Sequence, residues 1–393
     1  MSRLVRPLHL TALLGTALAT AAVALAPPST AAGSTPATER AERPGRAVVA
    51  TGLDNPRQLS FDRRGRLFVA ESGQGGAGPC VDGPEQETVC LGYSGAVTMV
   101  ANGRQRRVVT GLPSLAGEGS GNQASGPTDV SVDRRGHYRI SVGLGGDEEV
   151  RGQFPTPARR QLGTVLAGRL GGAPYVYADL AAYEQDANPD GSTRKLEDGT
   201  VVRAPDSNPG GLTRTGRGLL VADAGGNTLL RVRSGRVSAL AVFPQTQVAD
   251  PFGAGTIPMD AVPTSVTKGP RGSWFVSQLT GFPFPRGGAR IFRVVPGRAP
   301  TVWATGLTNV TDLTWSRGRL YAVQLATGGL LTTPEDELPT GSLVRVPRGS
   351  TSPRTVASGL AAPYGVAVRG GSAYVTTCSV CADGGTVTRV RLR

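Results

Sequence analysis

Oxygen donors at alternating positions mark the first place where this chain can do chemistry. Asp186, Asn188 and Asp190 alternate in the run Asp-Ala-Asn-Pro-Asp-Gly, and Glu197 follows Gly191 after five residues. Side-chain oxygens spaced by two, with a glycine for a sharp turn, are what a hard cation such as calcium needs. Pro189 interrupts the loop, Arg194 and Lys195 add repelling charge, and no helical pattern follows Glu197. The same residues therefore also read as a plain Asn-Pro-Asp-Gly turn. Calcium is the one cofactor this sequence offers.

Histidine chemistry is nearly closed off, because the two histidines are His9, just before an apolar N-terminal run, and His137, beside a hairpin turn. A histidine-based triad, a multi-histidine metal site and a haem ligand set cannot be built from them. The four cysteines, Cys80, Cys90, Cys378 and Cys381, fall into two close pairs. In an oxidising compartment such pairs default to disulfides. Sequential pairing is the preferred expectation, with pairing between the two groups as the alternative. Cys378-x-x-Cys381 has redox spacing, but no βαβ context of the thioredoxin kind surrounds it.

Positioning these residues requires a scaffold, and the chain supplies one by repetition. A short turn, a strand, a glycine-containing hairpin and a second strand recur from Pro56, Pro127, Pro209, Pro263, Val310 and Pro363. Six starts predict an all-β fold, a six-bladed β-propeller. The second strands, such as Leu67-Phe68-Val69-Ala70 and Trp274-Phe275-Val276-Ser277, have the β-branched and aromatic content of strands buried between sheets. An outer-strand phrase, Val356-Ala357-Ser358-Gly359-Leu360 in blade five, is missing from blade six and appears instead at Val48-Val49-Ala50-Thr51-Gly52-Leu53. The N-terminal strand is therefore expected to complete the last blade and hide its edge.

Strand parity then assigns faces. First and third hairpin turns lie on one face, while second-to-third loops and blade-to-blade connections lie on the other. The insertions at 73–95, 145–161, 179–206 and 282–288 all fall on that second face, where function usually sits. At the equivalent inner position the six blades carry Gln58, Asp129, Gly211, Ser265, Asp312 and Gly365, so Asp129 and Asp312 come from opposite blades. With Glu71 and Asp223, which follow second strands, these acids form a candidate channel-mouth set for a metal or a substrate. Acids at such places also cap turns and bond backbone amides. On the hairpin face parity gathers Arg63, Arg64, Arg134, Arg135, Arg271, Arg317 and Arg369, with Arg104, Arg106, Arg236 and Arg348 from the third hairpins.

The first 32 residues have the three parts of an export signal: Arg3 and Arg6, an apolar run from Leu10 to Ala26, and small residues at 30–32. Residues 33–46 read as a flexible linker and 47–393 as one propeller, with no membrane span in the mature chain. The localisation expected is extracellular. The formal charge of +13 is carried almost wholly by arginine, since lysine occurs only at Lys195 and Lys268. That excess favours acidic partners in general, such as anionic wall polymers. Few aromatics are present to stack bases and none interleaves with a basic run, so nucleic acid is disfavoured.

Several phrases together carry a resemblance. They are Gly-Leu-Asp-Asn-Pro-Arg at 52–57, Asn188-Pro189-Asp190-Gly191, Asp206-Ser207-Asn208-Pro209-Gly210-Gly211, Val221-Ala222-Asp223-Ala224-Gly225-Gly226-Asn227 and Val262-Pro263-Thr264-Ser265-Val266. The chain resembles the ScyD/ScyE family, exported proteins named after a scytonemin pigment cluster and widespread in actinobacteria. The resemblance covers nearly all of the chain after the signal and implies export without implying a reaction. More distantly, the blade phrase resembles NHL repeats and sugar-dehydrogenase or lactonase propellers. The leading expectation is a non-enzymatic extracellular propeller that binds a small molecule or cell-envelope partner through its loop-rich face. The alternatives are a metal-assisted, calcium-type hydrolase or lactonase at the channel mouth and, from the family name, an accessory protein in forming an exported secondary metabolite.

Overall fold

The computed structural model describes residues 45–83, 87–334 and 337–392. The export signal expected at 1–32, and all but the last two residues of the linker expected at 33–46, lie outside them. Six antiparallel sheets follow one another along the chain as the blades of a β-propeller. Their inner strands are Pro56–Phe61, Pro127–Val132, Pro209–Thr215, Pro263–Lys268, Val310–Ser316 and Val366–Arg369. Five agree with the repeat starts read from sequence. The sixth regular strand begins three residues later, although Tyr364 N–H and Gly365 O already bond Thr376 of the second strand at 3.1 and 3.2 Å.

Each blade start is tied back to the end of that blade's second strand by an equivalent backbone bond. The N–H groups of Ser72, Gly143, Ala224, Leu279, Leu325 and Ser379 donate to the carbonyls of Asn55, Gly126, Asn208, Val262, Asn309 and Ala362. These six bonds fix the height at which every inner strand enters the channel. The second strands behave as their composition predicts: Leu67–Glu71 is buried at every position. Aromatic packing fills the space between blades four and five, where Phe275 meets Trp303 and Trp315 at ring distances of 4.8 and 5.2 Å.

The N-terminal strand Arg46–Leu53 pairs antiparallel with the last strand, Gly385–Arg391, setting Arg46 opposite Val390 and Leu53 opposite Gly385. Ala50 and Leu53 are buried in that blade's core. Cys80 is bonded to Cys90 and Cys378 to Cys381, so the sequential pairing holds.

The insertions are more ordered than loops. In the first, Cys80–Asp82 pairs with the start of Thr88–Ala101, and that strand and its partner Arg104–Gly117 run beyond the blade as a long ribbon. Segment 145–161 contains two short helices, Glu148–Gly152 and Thr156–Arg159. Segment 179–206 begins with helix Leu180–Ala187, capped by the Asp179 carboxylate on the N–H of Ala182, and ends in the hairpin Thr193–Lys195 with Val201–Arg203. A further ribbon, Thr246–Ala249 with Thr256–Met259, has no counterpart in the repeats. Among the described residues no helix is long and apolar enough to cross a membrane.

Candidate functional site

Along the channel, the equivalent inner positions do meet. Asp129 and Asp312 are 8% and 6% exposed, and both carboxylates are filled by donors from their own and neighbouring blades. Asp129 accepts from the N–H of Val130 at 2.7 Å and of Leu212 at 2.8 Å. Asp312 accepts from Leu313 N and Val366 N, each at 2.7 Å, and from Ser265 Oγ at 2.6 Å. Each aspartate thus staples its blade to the next. Burial, reinforced by the charge of Asp312, pushes the Asp129 carboxyl well above the ordinary carboxylate range. Burial also pushes Asp312 up to about 7, with its three donors opposing the rise.

Gln58 crosses the channel between them. Its Nε2 donates to the carbonyls of Thr264 at 3.1 Å and Thr311 at 3.2 Å, two blades on the far side. Gly211 makes the crossing possible, since a Cβ there would stand 2.5 Å from Gln58 Oε1 and 2.6 Å from Ser265 Oγ. One residue earlier along the chain than the axial positions of blades one and six are Arg57 and Tyr364, both half-buried, which sequence reasoning missed. The Arg57 guanidinium lies 4.8 Å over the Tyr364 ring and donates to Ala124 O at 2.7 Å. Their signal in the sequence was that place, immediately before Gln58 and Gly365.

Glu71 and Asp223 stand away from this set. Glu71 is bound to Arg107 at 2.8 Å and accepts from Asp54 N at 2.9 Å. Asp223 accepts from Ser207 Oγ and Asn208 N, both at 2.7 Å. Asp223 belongs instead to an acidic cluster on the insertion face, with Glu184, Asp190 and Asp206. Glu184 is 1% exposed. Neither of its carboxylate oxygens has a hydrogen-bond partner. Burial first, then the charges of Asp223, Asp190 and Asp206, push Glu184 up to about 8. The same causes, led by burial and Asp223, push Asp206 up to about 7.

Of the proposed calcium loop, Asp190 lies near this cluster, where its charge acts on Glu184 and Asp206. Asn188, in the left-handed conformation at φ 42°, ends the helix and donates to Ser192 O at 3.0 Å. Asp190 accepts from Ser192 N at 2.9 Å and Asn227 Nδ2 at 3.0 Å. Asp186 is exposed at the helix end, and Glu197 is exposed at the tip of the following hairpin.

The hairpin face is built differently. A cleft of about 540 Å³ between blades one and two is lined by Arg64, Arg66, Arg134, Arg135, His137 and Arg169. Its acids are Asp62, paired with Arg66 at 2.8 Å, and Asp133, which meets His137 Nδ1 at 3.2 Å. A second cleft of about 380 Å³ between blades five and six is lined by Arg317, Arg319 and Arg369 beside Tyr321 and Leu392. Arg369 also reaches over the Phe61 ring of blade one at 5.6 Å, linking the two regions. Arg169 and Arg319 were missed in the sequence because they lie at strand ends beside the turns, and Arg66 because it immediately precedes the strand Leu67–Glu71.

No family model matches the chain, and no curated protein matches it. Solved structures similar to it are propellers at low identity. A Thermus thermophilus protein described as an oxidoreductase (glucose dehydrogenase) is 17% identical, with a TM-score of 0.48 over 88% of this chain and 99% of that one. A Bacteroides thetaiotaomicron protein of unknown function is 9% identical, with a TM-score of 0.47 over 88% and 75%. The PQQ-bound aldose sugar dehydrogenase of Streptomyces coelicolor is 14% identical, with a TM-score of 0.33 over 85% and 77%. The likeness is one of fold, and this chain is a six-bladed β-propeller with arginine-lined clefts on its hairpin face and a buried acidic cluster among its insertions.

Proposed function

We propose that this is an exported, non-catalytic propeller of the ScyD/ScyE kind that holds an anionic cell-envelope polymer on its hairpin face. The observation that carries the reading is the cleft lined by Arg64, Arg66, Arg134, Arg135 and Arg169. Five guanidiniums around one cleft, with one carboxylate partner among them in Asp62, leave an excess of donors shaped for phosphate or carboxylate groups. The two disulfides suit an oxidising compartment.

The hydrolase reading is supported less well. A metal-activated water needs carboxylates free to take the cation. Asp129, Asp312, Glu71 and Asp223 are instead committed to backbone amides, hydroxyls and Arg107.

Retention of the purified protein on anionic wall polymer tests the proposal. It should bind at low salt and elute as salt rises, because exposed charges are screened over about 10 Å at 0.1 M. It should pass freely through the uncharged polysaccharide backbone. Equal retention on both materials would defeat the proposal, and stronger retention on nucleic acid would assign the face to that partner.

A further inference from the structure

The acidic cluster of the insertion face has the makings of a cation site that differs from the loop pattern in the sequence. Glu184 lies on the inner side of helix Leu180–Ala187 and is 1% exposed. Both of its carboxylate oxygens are buried without a donor, as are Asp206 Oδ1 and Asn188 Oδ1. Four buried acceptor oxygens from three side chains thus lack any hydrogen. An orphaned buried carboxylate is costly, and either a proton or a bound cation relieves it.

The Gly225-Gly226 turn packs directly against two of these side chains. A Cβ on Gly226 would collide with Glu184 Oε2, and one on Gly225 would come within 2.8 Å of Asp206 Cγ. At Gly225 a Cβ would also meet the Asp206 backbone at 2.8 Å, whereas at Gly226 it would displace the Glu184 carboxylate. Asp190, partly exposed, and Asp223, fully buried, add negative charge. The cation facing them is Arg203, which is exposed and spends its guanidinium on the carbonyls of Gln185 and Asp186 at 3.2 Å.

From this the geometry points to a calcium-type site formed by Glu184, Asp206 and Asn188, with Asp190 and Asp223 completing the negative field. An all-oxygen donor set of carboxylates and an amide selects a hard cation, and its mixed spacing favours the flexible shell of calcium over the strict octahedron of magnesium. The carboxylates now stand apart. Among the described residues the trio of acidic, histidine or cysteine ligand atoms within 4.8 Å of one another is Cys80, Cys90 and Glu118, whose sulfurs are joined. A bound ion draws the cluster's oxygens inward and ties the helix to blade three.

Native mass spectrometry and thermal unfolding of the full chain with calcium chloride test this, with magnesium chloride as competitor. One calcium per chain should be retained, and the melting temperature should rise with calcium concentration by mass action. Glu184→Gln keeps the shape of the side chain and should abolish both effects. Asp206→Asn should weaken binding at least tenfold, while Asp129→Asn should leave it unchanged. Calcium binding that survives Glu184→Gln, an absence of binding at about 10 mM calcium, or an equal preference for magnesium would overturn the assignment. If Glu184→Gln fails to fold, loss of binding in Asp206→Asn with retention in Asp129→Asn still decides for the site. Retention in Asp206→Asn decides against it.

Discussion

Arg64 and Arg135 sit exposed in tight turns on one face, whereas Glu184 and Asp206 are enclosed by a helix and a Gly-Gly turn on the other. The two faces are made from the same six repeats, and the length of the connections separates them. A two-residue hairpin turn has no core of its own and can only hold a charge out in water. Such charges act together as a field that salt screens. The insertion at 179–206 brings its own helix and hairpin, so it can remove a carboxylate from water and make it depend on a partner. The first arrangement suits adhesion to a polymer. The second suits a single ion.

The largest effect should come from breaking the ring that holds both faces in register. A chain beginning at Asp54 lacks the strand that pairs with Gly385–Arg391. It should aggregate and melt at least ~10 °C lower than a chain beginning at Ala47, because an unpaired edge and the cavity left by Ala50 and Leu53 are both exposed. Equal melting temperature and solubility would remove the closing role of this strand.

Two glycines compare the faces directly. Gly226→Ala pushes a methyl group into Glu184 and should cost about 1–3 kcal/mol in chemical denaturation. Gly216, in the first hairpin of blade three, has no positive φ, and a methyl group added there would meet nothing within 4 Å. Gly216→Ala should be neutral or stabilise by up to about 1 kcal/mol. A similar cost at both positions would contradict the packing assigned to the acidic cluster.

A different effect concerns pH and the axis between the faces. The Asp312 carboxyl is raised from 3.8 to about 7 in the folded chain. The folded state therefore holds a proton that the unfolded state releases between these values. This contribution to stability is full below about pH 4 and is lost as pH rises through about 7. Denaturant midpoints should decline over that interval, and Asp312→Asn should make the decline shallower, with the raised Asp129, Glu184 and Asp206 supplying the rest. An unchanged slope in the variant would place the titration elsewhere.

Much of the architecture could be read from the sequence, and the reasons are specific. Every blade repeats the start-to-second-strand backbone bond, so Pro56, Pro127, Pro209 and Pro263 mark strands that local pattern alone predicts. The cysteine pairs were readable because ten- and three-residue separations close within one loop. The site was harder to read. Gln58 and Gly211 form one feature only because opposite blades meet across the channel, which no local pattern encodes. Asn188 and Asp190 were found by motif spacing, but Glu184 precedes the motif and Asp206 lies beyond a hairpin. Their mutual influence depends on the helix folding back over blade three.

The central claim is that the hairpin face is the adhesive one, and charge reversal there tests it most directly. A variant carrying Arg63→Glu, Arg64→Glu, Arg134→Glu and Arg135→Glu should be compared with the wild type for retention on anionic wall polymer across a salt series. All four side chains are exposed, so folding should be unaffected. The account predicts at least a tenfold loss of apparent affinity at low salt, converging with the wild type as salt rises. Equal retention of the two proteins at low salt, or no retention of either, would contradict it.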